Sequence, residues 1–150
     1  MSAVSIFYGS VFGNAQNAAE RTKEHLESKG IESKVVEDPT VDDLVNAEFI
    51  LAISSTCGLG DVPPNLEDLV TEAREQKPDL TAKPFAVAAL GDSNYDNTFC
   101  GGGKQVFEML KELNGKAVQP LLEIDAIETF EPDEDIIQWV DGFIHQHASS

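Results

Sequence analysis

The chain of 150 residues carries 27 acidic and 10 basic residues, which gives a formal net charge of -17. Such a surface repels nucleic acid and anionic lipid, and it favours a basic protein as partner. Folding at this length hides about 68% of the extended surface, which is enough for one domain and leaves no room for a second. We therefore treat residues 1–150 as a single globular domain.

The longest mainly apolar run, residues 49–53, is far shorter than the about 20 residues that a membrane-spanning helix needs. No basic segment opens the chain, so we expect no export and a cytoplasmic location. Cys57 and Cys100 cannot form a disulfide framework and are expected as reduced thiols. The three histidines lack partners at metal or catalytic spacing; we predict no metal site and expect all three on the solvated surface: His25, His145 and His147.

The first half of the chain alternates predicted strands and helices. β-branched and aromatic residues predict a buried strand over residues 3–8. Small and apolar residues at helical spacing predict a helix over residues 14–29, with Gly30 placed to end it. Three elements follow: a short strand over residues 33–36, a helical turn over 41–45 and a second buried strand over 48–54.

The second half continues the same alternation. Pro63 and Pro64 favour a helix start, and apolar residues up to Ala73 give this helix its inner face. The remaining elements are predicted as a strand over residues 85–90, a helix that follows the glycines at 101–103 and closes at Gly115, a fifth strand over 117–124, and a last helix over 132–147 that buries Ile136, Trp139, Val140 and Phe143.

Strand and helix thus alternate five times, and the strands are apolar on both faces. Parallel sheets require such strands because helices cover both sides of the sheet. The predicted fold class is therefore α/β, with three layers. Right-handed crossovers leave few strand orders, and the common five-stranded one is 2-1-3-4-5. In such sheets ligands bind at the carboxyl ends of the strands, which directs attention to the loops after strands one, three and four.

The loop after strand one, residues 9–15, runs directly into a helix. Its glycines let backbone amides point into a common hollow, and the helix N-terminus adds roughly half a positive charge, which favours a phosphate. The loop lacks the glycine spacing of a dinucleotide fingerprint and the lysine of a nucleotide P-loop. A phosphate would be held by amides, Ser10 and Asn14, an arrangement that suits a monoester better than a triphosphate.

The other two loops offer polar and aromatic groups. Residues 54–64 open with three hydroxyls that can serve phosphate and polyol oxygens, and Gly58 can adopt backbone conformations closed to other residues. Taken alone, this stretch is equally compatible with a capped turn before a proline-started helix. Residues 91–103 form a long loop with Tyr95 near its middle, and a tyrosine offers a flat face for a planar ring.

In this order, the three loops resemble those of flavodoxins. Residues 10–15 resemble the phosphate loop, residues 55–58 the second flavin loop, and residues 91–95 with Phe99 and Cys100 the third. The resemblance spans essentially the whole chain and is closest to the short-chain class, its MioC-like branch and the flavin domains of diflavin reductases. It implies a flavodoxin-like three-layer fold with FMN as cofactor.

The resemblance also assigns roles to single residues. The FMN phosphate would lie on the amides of residues 11–15, with Ser55 contributing a side chain and Thr56 lying near the ribityl chain. Tyr95 would stack on the outer face of the flavin ring, and the Gly58–Leu59 peptide would turn to accept the N5 proton when the flavin gains its first electron. The implied cofactor-binding residues are Ser10, Val11, Phe12, Gly13, Asn14, Ala15, Ser55, Thr56, Cys57, Gly58, Leu59, Gly60, Gly91, Asp92, Asn94, Tyr95, Asn97, Thr98, Phe99 and Cys100.

The implied function is electron transfer, with no catalytic residue, because the cofactor supplies the chemistry. We expect a monomer that receives electrons from a basic NADPH-dependent flavodoxin or ferredoxin reductase and passes them to acceptor enzymes. Acidic residues on or beside the flavin loops would steer this encounter: Asp61, Glu67, Asp68, Asp92 and Asp96.

Two other classes of protein share parts of this pattern. A self-sufficient FMN-dependent oxidoreductase acting on nicotinamide or quinone substrates stays open as the alternative, although the chain has neither a dinucleotide fingerprint nor an arginine cluster. A phosphorylated receiver shares the sheet order. It needs an acidic pair after strand one and an aspartate closing strand three, where this chain has Ser10 and Ser54, so the receiver is excluded on its chemistry.

Overall fold

Strands and helices alternate along the computed structural model, which describes residues 4–9, 14–36, 40–54, 64–81, 83–91, 101–119, 121–125 and 132–142. The strands are β1 (Val4–Gly9), β2 (Ser33–Val36), β3 (Phe49–Ser54), β4 (Pro84–Gly91), β5 (Lys116–Ala117) and β6 (Leu122–Asp125). The helices are α1 (Asn14–Ser28), α2 (Val41–Asn46), α3 (Pro64–Gln76), α4 (Gly101–Glu112) and α5 (Pro132–Asp141).

The strands form one sheet in which each described pair is parallel, in the order β2-β1-β3-β4-β5, with β6 also paired to β4. This confirms the predicted α/β class and the predicted order 2-1-3-4-5. The central strand β3 is buried along its whole length. Helices therefore cover both of its faces, which explains why its sequence is almost continuously apolar.

The predicted fifth strand over residues 117–124 is wrong in one respect, because the structure divides it into β5 and β6. Ala117 pairs with Phe85 and Leu122 pairs with Ala88. Four residues therefore separate the two paired positions in the β5–β6 segment, whereas only two residues separate them in β4. Pro120 belongs to this segment and lies outside the described residues; proline has no amide hydrogen to donate to a strand ladder. The two extra residues preserve the alternation of side chains between the two faces of the sheet.

The core consists of one cluster on each side of the sheet. On one side α1 and α5 pack against the sheet through residues such as Leu26 and Ile136. On the other side α2, α3 and α4 contribute residues such as Leu44, Leu69 and Leu110. The helix that follows β1 and the helix that follows β3 therefore lie on opposite sides of the sheet. In sheets of this type a ligand binds beside the carboxyl ends of the strands at the point where this change occurs.

Local sequence signals set the ends of the first two helices. Gly30, predicted to end α1, has a φ of 80°, and the amides of Gly30 and Ile31 donate to the carbonyls of Glu27 and Leu26. These two bonds form a Schellman motif, for which a left-handed glycine is well suited. At the start of α2 the Thr40 side chain accepts from the Asp43 amide, and the Asp43 carboxylate accepts from the Thr40 amide.

The last helix is described as far as Asp141, whereas the sequence predicts residues 132–147; the part from Phe143 onward lies outside the described residues. The predicted burial of Ile136 and Val140 is confirmed, and Trp139 packs against the same cluster while remaining partly exposed. Within the ranges that the structure describes, no helix combines the length and hydropathy needed to cross a membrane.

Candidate functional site

Three neighbouring strands bring the predicted flavin loops to one edge of the sheet. Gly9, the last residue of β1, lies opposite Ser54, the last residue of β3. Ser54 in turn lies opposite Ala89 of β4, and β4 ends two residues further on, at Gly91. The chain therefore leaves the sheet at three adjacent points, and each departure leads into one of the predicted loops.

Of the predicted cofactor-binding residues, three begin or end described elements. Asn14 and Ala15 open α1, and Gly91 closes β4. The others lie outside the described residues, so their contacts with FMN stay predictions: Ser10, Val11, Phe12, Gly13, Ser55, Thr56, Cys57, Gly58, Leu59, Gly60, Asp92, Asn94, Tyr95, Asn97, Thr98, Phe99 and Cys100.

The charges at the helix starts distinguish α1 from α2 and α3. The first turn of α1 contains no acidic residue, whereas α2 has Asp42 and Asp43 there and α3 has Glu67. A carboxylate at a helix N-terminus occupies the favourable electrostatic position that an incoming anion would otherwise take. The start of α1 thus remains suited to a phosphate, and in this respect the described residues fit the phosphate group of FMN.

Ser54 is a buried polar residue at this edge that the sequence analysis did not include among the flavin contacts. It has no exposed surface and lies between Gly9 and Ala89 in the register of the sheet. The sequence carries a signal for it, since a serine closes a strand that is otherwise apolar from Phe49 to Ile53.

A cavity of about 730 Å³ lies between the C-terminal ends of α3 and α4, at the edge of the sheet opposite to the three strand ends. Arg74 Nε and Glu112 Oε2, which line it, are 3.3 Å apart and form an ion pair. On its rim, hydrogen bonds from the Thr81 hydroxyl and amide lower the pKa of Asp79. The cavity is remote from the three strand ends, so we do not assign the flavin to it. Within the described ranges no cluster of His, Cys, Asp or Glu has the arrangement of a metal site.

The prediction that His25 is a solvated surface residue is confirmed only in part, because the side chain is partly exposed and has a partner. Its Nε2 atom lies 2.7 Å from Oδ1 of Asp141, and 23% of its side chain is exposed. Both residues lie near the ends of packed helices, α1 and α5, and Arg21 and Glu134 form an ion pair between the same two helices. His25 therefore joins two elements of the fold at a distance from the strand ends. The other two histidines, His145 and His147, lie outside the described residues.

Comparison with known proteins agrees with this geometry. The family model for flavodoxin matches residues 6–139. Flavodoxin YqcA of Pectobacterium carotovorum subsp. carotovorum is 35% identical over 95% of this chain and 95% of its own length, and protein MioC of Escherichia coli K12 is 32% identical over 97% and 98%. The solved structure of a mutant of flavodoxin from Pseudomonas aeruginosa superposes with a TM-score of 0.87 at 38% identity, covering 94% of this chain and 95% of that one. The matched length, the strand order and the meeting of the three strand ends together establish that the chain belongs to the flavodoxin family, whose members are FMN-binding electron-transfer proteins.

Proposed function

We propose that this protein is a monomeric FMN-dependent electron carrier of the cytoplasm, which takes electrons from a basic NADPH-dependent reductase and delivers them to acceptor enzymes. The observation that carries the proposal is the meeting of Gly9, Ser54 and Gly91 at one edge of the sheet, each followed by a predicted flavin loop. FMN, when bound, supplies the one-electron chemistry, so the protein needs no bond-making residue of its own.

In this proposal the residues of the chain bind and orient the cofactor. The start of α1, from Asn14 onward, holds the phosphate, because its first turn presents amide groups and no competing carboxylate. Ser55 and Thr56 direct hydroxyls to the phosphate and ribityl oxygens. Tyr95 covers the outer face of the ring and excludes water from it. The self-sufficient FMN-dependent oxidoreductase stays the alternative, and the turnover measurement described below distinguishes it from the carrier.

The proposed function predicts that the protein, stripped of flavin and then titrated, binds FMN at least tenfold more tightly than riboflavin. The difference arises from hydrogen bonds to a charged phosphate, each of which contributes about 1.5–3 kcal/mol. Absorption spectra and quenching of flavin fluorescence provide the measurement. Absence of a flavin spectrum after reconstitution, or equal affinity for FMN and riboflavin, would refute the proposal. Steady turnover of NADPH or quinone by the isolated FMN-loaded protein would instead support the oxidoreductase.

A second prediction concerns the ring rather than the phosphate. Tyr95→Ala should weaken FMN binding by on the order of 1 kcal/mol, roughly fivefold, because stacking on the flavin is lost. Riboflavin carries the same ring, so its affinity should fall by the same factor, while Tyr95→Phe should keep most of the affinity for both. Fluorescence titration of the three proteins with both flavins measures this. If the three proteins bind both flavins equally, Tyr95 is not part of the site.

A further inference from the structure

Ser54 is a buried polar residue at the end of an apolar strand. No part of it is exposed, and the five residues before it in β3 are Phe49 to Ile53. Because side chains alternate along a strand, Ser54 points to the same face as Ala52, which packs in the cluster beneath α3 and α4. Ser54 therefore lies on the side of the sheet that α3 and α4 cover.

The space at this position does not require a hydroxyl. The neighbours of Ser54 in the ladder are Gly9 and Ala89, both small and without polar side chains, and alanine is smaller than serine by one oxygen atom. Burying a hydroxyl is unfavourable unless it is hydrogen-bonded. Each fully buried side-chain nitrogen or oxygen in the described part of the chain has a hydrogen-bond partner, and this includes the Ser54 hydroxyl. Ser54 thus makes a directional contact that alanine could not replace.

Two other buried hydroxyls have local structural roles away from this edge. The Thr22 hydroxyl donates to the Ala18 carbonyl of its own helix at 2.7 Å. The Ser33 hydroxyl donates to the Lys23 carbonyl at 3.4 Å and joins β2 to α1. Ser54, by contrast, is the residue at which the chain leaves β3, directly before Ser55 and at the meeting point of the three strand ends.

We propose that Ser54 is a positioning residue for FMN. Its hydroxyl fixes the direction in which the chain leaves β3, and thereby places the groups that follow it in the sequence for contact with the cofactor. Ser54 acts through its neighbours and does not touch the flavin, which distinguishes it from the predicted contacts Ser55 and Thr56. The inference rests on the proposed function, because FMN is the group that is positioned.

The test compares Ser54→Ala with Ser5→Ala. Ser5 is also buried, with 3% of its surface exposed, and it lies on the adjacent strand β1 but near the opposite end. Each substitution deletes one hydroxyl from a central strand, and only Ser54 is at the edge where FMN belongs. We expect Ser54→Ala to weaken FMN binding about five- to tenfold and to move the two midpoint potentials of the bound flavin. Each of the two variants loses one buried hydroxyl, so both should lower the urea unfolding midpoint of the flavin-free protein by a similar amount. Ser5→Ala should leave FMN affinity within about twofold of the wild type, because it deletes a hydroxyl of similar burial that is remote from the cofactor.

A third variant, Ser54→Cys, replaces the hydroxyl with a somewhat larger thiol that is only a weak donor, and its FMN affinity should lie between those of the wild type and Ser54→Ala. The inference is overturned if Ser54→Ala binds FMN as the wild type does, or if Ser5→Ala weakens FMN binding by as much, since the effect then comes from the loss of a buried hydroxyl in general. These outcomes leave the proposed function intact, provided that the wild type binds FMN. A wild type that fails to bind FMN would overturn both.

Discussion

Replacement of Phe85 by alanine should lower the free energy of unfolding by about 3–5 kcal/mol, the usual range for truncating a fully buried phenylalanine. Phe85 has no exposed surface and lies near the start of β4, where it pairs with Ile50 on one side and Ala117 on the other. Its ring meets the Phe107 ring edge-on, with 5.4 Å between the centroids. Alanine would leave a cavity between β4 and α4 that a close-packed interior fills only partially. Urea unfolding of the flavin-free protein measures the change.

Val45→Ala is the matched control. Val45 is also apolar but 46% of its surface is exposed, so its truncation should change the free energy of unfolding by no more than about 0.5 kcal/mol. Gly115→Ala tests the same contact from the other side, because an added Cβ would lie 3.0 Å from the Phe85 ring and also 3.0 Å from the Leu110 carbonyl oxygen, which the Phe85 substitution does not remove. The cost of Gly115→Ala should be smaller in the Phe85→Ala background than in the wild type. A loss below about 1.5 kcal/mol for Phe85→Ala would contradict the picture of a tightly packed β4–α4 contact.

The order of elements was predictable because parallel strands covered on both sides leave a strong sequence pattern. β3 is an apolar run that the structure buries at every position. Gly30 carries an equally local signal, since a left-handed residue is needed where α1 ends. Such features depend on neighbours within a few residues along the chain.

The errors in the prediction arise from contacts between distant residues. The division of the fifth strand depends on its register against β4, which hydrophobic periodicity does not encode. The sequence does contain Pro120 in this segment, and a proline inside a predicted strand argues against an unbroken strand. The end of α4 also depends on a distant residue. Gly115 is predicted to close this helix, but the left-handed residue is Asn114, with a φ of 72°. A side chain at Gly115 would instead meet the Phe85 ring. The partner of His25 is 116 residues away on α5.

The candidate site was predicted from a resemblance between loops rather than from periodicity. Its position at the carboxyl ends of β1, β3 and β4 follows from topology, and the structure confirms that these strand ends are adjacent. Ser54 was not among the predicted contacts because, in the sequence, it is the first of three consecutive residues with a hydroxyl group and this pattern does not set it apart from the other two. Its complete burial and its register against Gly9 and Ala89 come from the structure.

The distribution of charge provides the second large prediction, which concerns the partner. Glu67 and Asp68 lie at the start of α3, at the edge where the flavin is proposed to bind. Six of the ten basic residues lie toward the opposite edge, at helix ends and strand starts, whereas Lys104 lies near the start of α4; the six are Lys29, Arg74, Lys77, Lys83, Lys111 and Lys116. With a net charge of -17 and most of its cations distant from the proposed flavin edge, the chain would meet the proposed basic reductase most favourably through that edge. Opposite charges of this kind raise association rates by roughly 10- to 1,000-fold and add less to the final affinity.

We therefore expect electron transfer from a basic NADPH-dependent flavodoxin or ferredoxin reductase to slow by about tenfold or more as salt is raised from low to high concentration. The double variant Glu67→Gln with Asp68→Asn should slow the reaction several-fold at low salt without changing FMN affinity. Its control, Glu72→Gln with Glu75→Gln, removes the same charge from exposed positions later in the same helix. Because the control pair lies on average six residues further along the helix, it is about 9 Å more distant along the axis, compared with a Debye length of about 8 Å at physiological salt. The control should therefore slow the reaction less at physiological salt, and stopped-flow reduction of the FMN-loaded proteins across a salt series measures the difference.

Equal slowing by both pairs would assign the effect to net charge rather than to the acidic edge. Rates that change neither with salt nor with either pair of substitutions would mean that the acidic residues serve solubility alone.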